Sequence, residues 1–357
     1  MTVIDSPARV GNSPLVRILA PVPNPHPGYF AKIESLGFGG LKARSALSML
    51  AGARRRGELR DGARIVESTS GTLGVGLAYV AQPLGHPVTL VVDCELEPAM
   101  RNLLCALGAT LEIVGRPHPE GGWQQARLDV LHRILAADPD AYWPNQYDNP
   151  DNAVGYHGLA DEIVAGLAAQ GIERAEVLVC SVGTGGHSSG VGLRLRQVWP
   201  DLRIIGVDAV GSTIFGQPAA CRVMRGLGSS VHPGNVRYEM FDEVHWVGPR
   251  EAVHACRSLA RDGFHTGGWS TGAVATVAGW AATRWPGPVV TVFPDGPDRY
   301  LRTIFDDDWC ARHGLLAPPR THPHEIAECG DPAECWTRCE SVRAPHPSAR
   351  DRMETAR

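Results

Sequence analysis

Val177-Leu178-Val179-Cys180-Ser181-Val182-Gly183-Thr184-Gly185-Gly186-His187 reads as a strand, a glycine loop and the start of a helix. Three glycines let the backbone approach a ligand closely and turn its N–H groups inward. The following helix adds its positive end, so the loop suits an anion such as a phosphate. A tight strand-to-helix turn without a ligand has the same outline. No Gly-Lys-Ser/Thr ending makes it a P-loop, and Gly183, Gly185 and Gly186 do not spell the dinucleotide G-x-G-x-x-G. Which phosphate it takes stays open.

Outward from this stretch, strands and helices alternate. Towards the N-terminus the pattern gives strand 65–66, helix 75–82, strand 87–92, helix 99–107, strand 111–114 and helix 123–137. Towards the C-terminus it gives helix 155–168, helix 187–198, strand 203–207, strand 244–247, helices 249–261 and 271–283, and strand 289–293. The β-branched run at 87–92 is typical of a parallel strand buried on both faces, and the alternation predicts an α/β fold of open parallel sheets with helices on both faces. The loop-like segment 141–152 joins two halves. Beyond about residue 317 the periodicity stops, and the Pro-, His-, Arg- and Glu-rich tail reads as loosely packed.

Composition narrows the function classes. The 357 residues carry 43% hydrophobic and 20% charged side chains, a globular balance with room for a substantial core. A net charge of −4 gives no electrostatic reason to expect nucleic acid. The basic run Arg54-Arg55-Arg56 reads as a solvated helix end. No apolar stretch approaches the roughly 20 residues of a membrane span, and Met1 to Asp5 lack the regions of a signal peptide. Nine scattered cysteines, with Cys94, Cys105, Cys180 and Cys256 in apolar segments, read as reduced, buried thiols of a cytoplasmic protein. His322, His324, Cys329, Cys335 and Cys339 match no strong zinc spacing, so no metal is expected.

The basic residues hold a counting oddity. Of 34 lysines and arginines only Lys32 and Lys42 are lysines. An amine can shed its proton and attack a carbonyl, whereas a guanidinium stays protonated. Lys32 lies in the strand-like run Tyr29 to Ile33, where a lysine usually snorkels from a sheet edge. Lys42 follows Gly39-Gly40 and opens a helical pattern. Two further loops begin helices. Ser68-Thr69-Ser70-Gly71-Thr72-Leu73-Gly74 suits a carboxylate or ordinary helix capping. In Gly267-Gly268-Trp269-Ser270-Thr271-Gly272 the hydroxyls suit a cap or a ring nitrogen. A reactive amine, a phosphate cradle, a carboxylate loop and a hydroxyl for a ring nitrogen together point to pyridoxal 5′-phosphate.

Ordered motifs from Gly11 to about residue 305 then become recognisable. Gly11-Asn12-Ser13-Pro14-Leu15-Val16, the Lys42 region, Thr69-Ser70-Gly71, the Gly183 loop, Ser270 and Phe293-Pro294-Asp295-Gly296 with Arg299-Tyr300-Leu301 resemble the cysteine synthase and cystathionine β-synthase family. These are the fold-type II pyridoxal phosphate enzymes, with a tryptophan synthase β-like architecture. The resemblance implies Lys42 as Schiff-base lysine and general base. It also implies cofactor contacts at Thr72, Gly183, Thr184, Gly185, Gly186, His187 and Ser270, and substrate contacts at Thr69, Ser70, Gly71 and Gln146. Departures stand at Thr72, where the family has asparagine, at His187, where it has threonine, and at Ala43, where it has aspartate.

The same resemblance implies a smaller mobile substrate domain at 36–140, a larger phosphate-binding domain at 1–35 and 141–316, and a tail at 317–357. A homodimer acting on a small amino-acid substrate follows from it as well. The segments Gly121 to Gln125 and Gly211 to Gln217 look closer to an actinobacterial cysteine desulfhydrase branch. The leading expectation is therefore β-elimination on L-cysteine to sulfide, pyruvate and ammonia through an aminoacrylate. The alternative is cysteine-synthase-like β-replacement on O-acetylserine or O-phosphoserine. A nicotinamide oxidoreductase would leave Lys42 unexplained, and a non-catalytic cofactor-binding protein is the remaining contrast.

Overall fold

Alternate residues of the strand before the glycine loop face opposite sides of a sheet and are buried on both. Val177 and Val179 join one hydrophobic cluster, and Leu178 and Cys180 join another. This is the pattern of a central parallel strand. The computed structural model describes residues 10–19, 28–37 and 39–345.

In chain order the strands are β1 (Leu15–Ile18), β2 (Tyr29–Ile33), β3 (Ile65–Ser68), β4 (Val88–Asp93), β5 (Thr110–Val114), β6 (Val177–Ser181), β7 (Arg203–Ala209), β8 (Glu243–Val247), β9 (Val289–Phe293), β10 (His324–Glu325) and β11 (Thr337–Cys339). The helices are α1 (Leu41–Arg56), α2 (Thr72–Ala81), α3 (Pro98–Ala106), α4 (Gly122–Ala137), α5 (Asp151–Val154), α6 (His157–Ala168), α7 (Gly186–Val198), α8 (Pro249–Arg261), α9 (Trp269–Arg284) and α10 (Asp307–Arg312).

Two sheets result. The larger runs β1-β2-β9-β6-β7-β8-β11-β10. Its strands from β2 to β8 are parallel, while β1 pairs antiparallel to β2. Helices α8 and α9 bury Val253, Cys256, Val274 and Val277 on one face, and α6 and α7 bury Leu159, Ile163, Val191 and Leu195 on the other. The smaller sheet, β3-β4-β5, is wholly parallel. Helices α1, α2 and α3 cover one face with Met49, Leu50, Leu77 and Leu104, and α4 covers the other with Leu131. The α/β class expected from alternation is the fold observed. Ligands of such sheets sit outside the carboxyl ends of the strands, and the loops after β3 and β6 both emerge there.

Three local expectations are corrected. Lys32 does not snorkel, because β2 lies between β1 and β9 and the side chain is 2% exposed. Its ammonium pairs with Glu162 at 2.7 Å and donates to the Ser13 carbonyl, which replaces the water it has lost. Cys94 and Cys105 are exposed rather than buried, one in the turn after β4 and the other on the outer side of α3; Cys180 and Cys256 are buried as expected.

The third correction concerns the tail up to residue 345, which is packed. Strand β11 pairs antiparallel with β8, setting Thr337 against Trp246 and Cys339 against Val244. Trp336 is 2% exposed and donates its indole N–H to His245 Nδ1 at 2.9 Å. The Gln217 amide donates to the carbonyls of Cys329 and Asp331. An open β8 edge would leave backbone groups unpaired, and a three-residue strand is too short to show periodicity in sequence. Residues 346–357 of the expected loose tail, and the Met1 to Asp5 segment, lie outside the described residues.

Candidate active site

Where the two sheets meet, a cavity of about 570 Å³ is lined by residues from both. Lys42, Thr69, Ser70, Thr72, Gln146, Gly183, Thr184, His187 and Ser270 all face it. Gly71, Gly185 and Gly186 are not among its lining residues; they shape the two helix starts behind it.

Lys42 is the second residue of α1, whose N-cap is Gly40 at φ 67°. That left-handed turn suits glycine and brings the chain abruptly into the helix. The amine donates to Thr184 Oγ1 at 3.3 Å, which ties α1 to the glycine loop. Burial pushes its pKa from 10.5 down to about 8, and the nearby Glu67 carboxylate opposes that fall. Loss of solvent weakens the ammonium form, so a usable share of free amine exists near neutrality.

The glycine loop is a cradle. Among the described residues, the N–H groups of Gly183, Thr184, Gly185, Gly186 and His187 have no hydrogen-bond acceptor, although Val182 N and Ser189 N on either side do. No side chain caps α7, and Gly185 sits at φ 80°. A Cβ there would lie 2.6 Å from the Val236 nitrogen, so only glycine fits. Unpaired amides at a helix start attract an anion. His187 lies 3.4 Å by Nε2 from Ser181 Oγ, and burial followed by the Lys42 charge holds its pKa down to about 3. A neutral imidazole therefore stands in the cradle wall.

The loop after β3 does not behave as an ordinary cap. The N-cap of α2 is Gly71, and no side chain caps the helix. Thr69 Oγ1 instead accepts from Gly71 N at 3.0 Å. Among the described residues, the N–H groups of Ser70, Thr72 and Leu73 have no acceptor, an arrangement suited to a carboxylate. Gln146 is held at this loop, its side-chain amide donating to Ser68 O at 2.8 Å. At the third loop, Thr271 Oγ1 is engaged by Asp295 Oδ1 at 2.9 Å, whereas Ser270 lines the cavity.

Several residues in or around the cavity carry roles that the sequence did not disclose. Glu67 is fully buried and accepts from Trp143 Nε1, Ser68 N and Gln146 N. Burial raises its pKa to about 7 against those hydrogen bonds. An acid inside a four-residue buried strand was the available signal. Arg299 donates to Thr72 Oγ1 at 2.8 Å and to Ser70 O, and pairs with Glu97 at 2.8 Å. The Thr72 hydroxyl is thus held by Arg299 from the larger sheet's side. Glu67 and Arg299 stand behind the lining, whereas Arg127, Arg222 and Arg225 line the cavity itself.

The chemistry of this set is specific. A depressed amine beside an amide-lined anion cradle fits a phosphorylated aldehyde, and a second cradle fits a carboxylate. A family model described as pyridoxal-phosphate dependent enzyme matches residues 8–295. The N-(2-amino-2-carboxyethyl)-L-glutamate synthase of Cupriavidus metallidurans is 37% identical over 325 residues, covering 89% of this chain and 93% of that protein. The protein of the same name from Ralstonia nicotianae is 37% identical over 309 residues, covering 85% of this chain and 90% of its own length. Among solved structures, O-acetylserine dependent cystathionine beta-synthase from Helicobacter pylori superposes with a TM-score of 0.77 at 28% identity, covering 85% of this chain and 98% of that one. Motif order, cavity geometry and a match across most of the sequence agree: the chain belongs to the pyridoxal-phosphate dependent enzymes, in the fold-type II group that holds the cysteine synthases and cystathionine β-synthases.

Proposed function

We propose that the protein is a β-replacement synthase that joins the β-carbon of an activated L-serine to the amino nitrogen of an acidic amino acid, glutamate being the leading candidate. The observation that carries this reading is the likeness to two N-(2-amino-2-carboxyethyl)-L-glutamate synthases over nearly the whole chain. The cavity supports it, because Arg127, Arg222 and Arg225 line its wall beside the cofactor and carboxylate loops, and a sulfide acceptor has no carboxylate for an arginine to meet. The named relatives are synthases, so replacement displaces cysteine desulfhydration as the leading reading.

When bound, pyridoxal phosphate supplies an electron-withdrawing ring conjugated to the substrate's α-carbon, which makes the α-proton removable and lets the β-substituent leave. The residues divide the remaining work. The amides of Gly183 to His187 would hold the phosphate, Ser270 would meet the ring nitrogen with a neutral hydroxyl, and Lys42 would anchor the aldehyde. Thr69, Ser70, Gly71 and Gln146 would orient the substrate carboxylate, which places the α-proton toward Lys42. A lysine pKa near 8 lets its amine take that proton and return it. In the net reaction the serine Cβ–O bond breaks, a Cβ–N bond forms, and the acceptor amine gives up one proton as acetate or phosphate departs.

The test is purified enzyme supplied with O-phospho-L-serine or O-acetyl-L-serine and glutamate, followed by mass spectrometry and a pyruvate assay. An adduct with little pyruvate supports the proposal. Pyruvate and sulfide from cysteine alone, with no adduct, would return the reading to elimination. Lys42→Ala should remove both turnover and the visible absorbance of the bound cofactor. The same reading carries a homodimer in the cytoplasm, which sedimentation and cell fractionation test.

A further inference from the structure

Among the described residues, four cations line the cavity: Lys42, Arg127, Arg222 and Arg225. Lys42 is committed to the cofactor in the reading above. Arg127 and Arg225 both pair with Asp93, and Arg225 also donates to the Glu95 carbonyl at 2.6 Å. Arg222 differs from both. Among the described residues no carboxylate lies within ion-pairing distance of it. Its Nη1 donates to the carbonyls of Gly211 at 2.8 Å and Ser229 at 3.2 Å, and its Nη2 donates to Ser230 Oγ at 3.0 Å.

Those partners fix the guanidinium in place without neutralising it. They are themselves braced across the cavity wall. Ser230 N donates to Gln124 Oε1 at 2.6 Å, and Gln124 Nε2 donates to Ser229 Oγ and Tyr147 Oη. Asp208 is buried with Oδ2 unpartnered and acts on Arg222 through its charge, but it makes no ion pair with the guanidinium. A half-buried, preorganised arginine whose hydrogen-bond acceptors are all neutral oxygens carries a desolvation cost that an incoming carboxylate relieves. Sulfide offers no such group, whereas an acidic acceptor does.

We infer that Arg222 is the specificity-determining residue of an acceptor subsite and takes the side-chain carboxylate of the incoming amino acid. The assignment rests on the β-replacement reading. It accounts for why, among the described residues, this arginine of the cavity wall makes no ion pair while its neighbours share Asp93. Glutamine is the matched control, because it keeps the size and the amino nitrogen of glutamate and removes only the charge.

The experiment measures kcat/KM for glutamate and for glutamine with the holoenzyme, then repeats both with Arg222→Met and Arg222→Lys. Wild type should prefer glutamate by about 30-fold or more, the order of magnitude for a buried charge pair losing one partner. Arg222→Met should abolish the preference, and Arg222→Lys should retain part of it. Should the methionine variant fail to fold, the lysine variant decides: an intermediate preference supports the subsite, and an unchanged one overturns it. Retention of the full preference in Arg222→Met also overturns it. A change confined to O-phosphoserine over O-acetylserine would assign Arg222 to the leaving group and overturn the acceptor subsite. No adduct from wild type with either acceptor sinks the β-replacement reading itself, a distinct outcome.

Discussion

The pH dependence of cofactor capture follows from one side chain. Burial brings the Lys42 pKa to about 8. At pH 7 an amine of pKa 8 is neutral in about 9% of molecules, against about 0.03% at its ordinary value, roughly a 300-fold gain in nucleophile. Stripping the cofactor and mixing the apoprotein with pyridoxal phosphate at several pH values reads this directly as the growth of visible absorbance. The rate constant should rise about tenfold between pH 7 and pH 9, with its midpoint near 8, and then level off. Glu67 holds the ammonium form up, so Glu67→Gln should move the midpoint to lower pH. A rate that keeps climbing through pH 10 would refute the argument, since it would show an amine titrating as if in water.

Three further outcomes are expected. Glu67 is fully buried with its pKa raised to about 7, so the folded state keeps a proton that the unfolded chain releases near its ordinary 4.5. Its contribution to stability is therefore greatest at low pH and falls as pH rises through that window, by ~3 kcal/mol in all. Urea titrations of wild type and Glu67→Gln should diverge across the window; parallel curves would contradict this. Trp336→Ala, which empties a buried indole site beside His245, should cost about 3–5 kcal/mol in chemical denaturation, whereas an unpacked tail would give no change. Arg299→Gln should raise KM for the serine substrate about tenfold with a smaller effect on kcat, because it frees Thr72 and the Ser70 carbonyl; an unchanged KM would remove Arg299 from loop positioning.

Much of the fold was legible because parallel strands buried on both faces, such as 177–180 and 289–293, read as β-branched runs between amphipathic helices. The cradle at Gly183 to His187 was legible for a related reason: close backbone approach demands glycine, and glycine leaves a mark in the sequence. Lys42 stood out because all but two of the 34 basic residues are arginines. The residues that escaped notice depend on long-range pairing. Arg299 meets Thr72, and Gln124 meets Ser229 and Ser230, across more than a hundred residues. Arg222 is distinguished by making no ion pair among the described residues, which no local stretch of sequence discloses. The tail misled because one tryptophan, one threonine and one cysteine closing a sheet edge leave no periodic signal. Lys32 misled because its partner Glu162 lies far along the chain.

The central claim, that a carbon–nitrogen bond forms at the serine β-carbon, can be read from the product. O-phospho-L-serine carrying 13C at its β-carbon and glutamate carrying 15N at its amine are supplied to the purified holoenzyme, and the mixture is followed by NMR. The account predicts a β-carbon signal split by a one-bond coupling to 15N. Contradiction would be label appearing only in the methyl group of pyruvate, with glutamate unchanged.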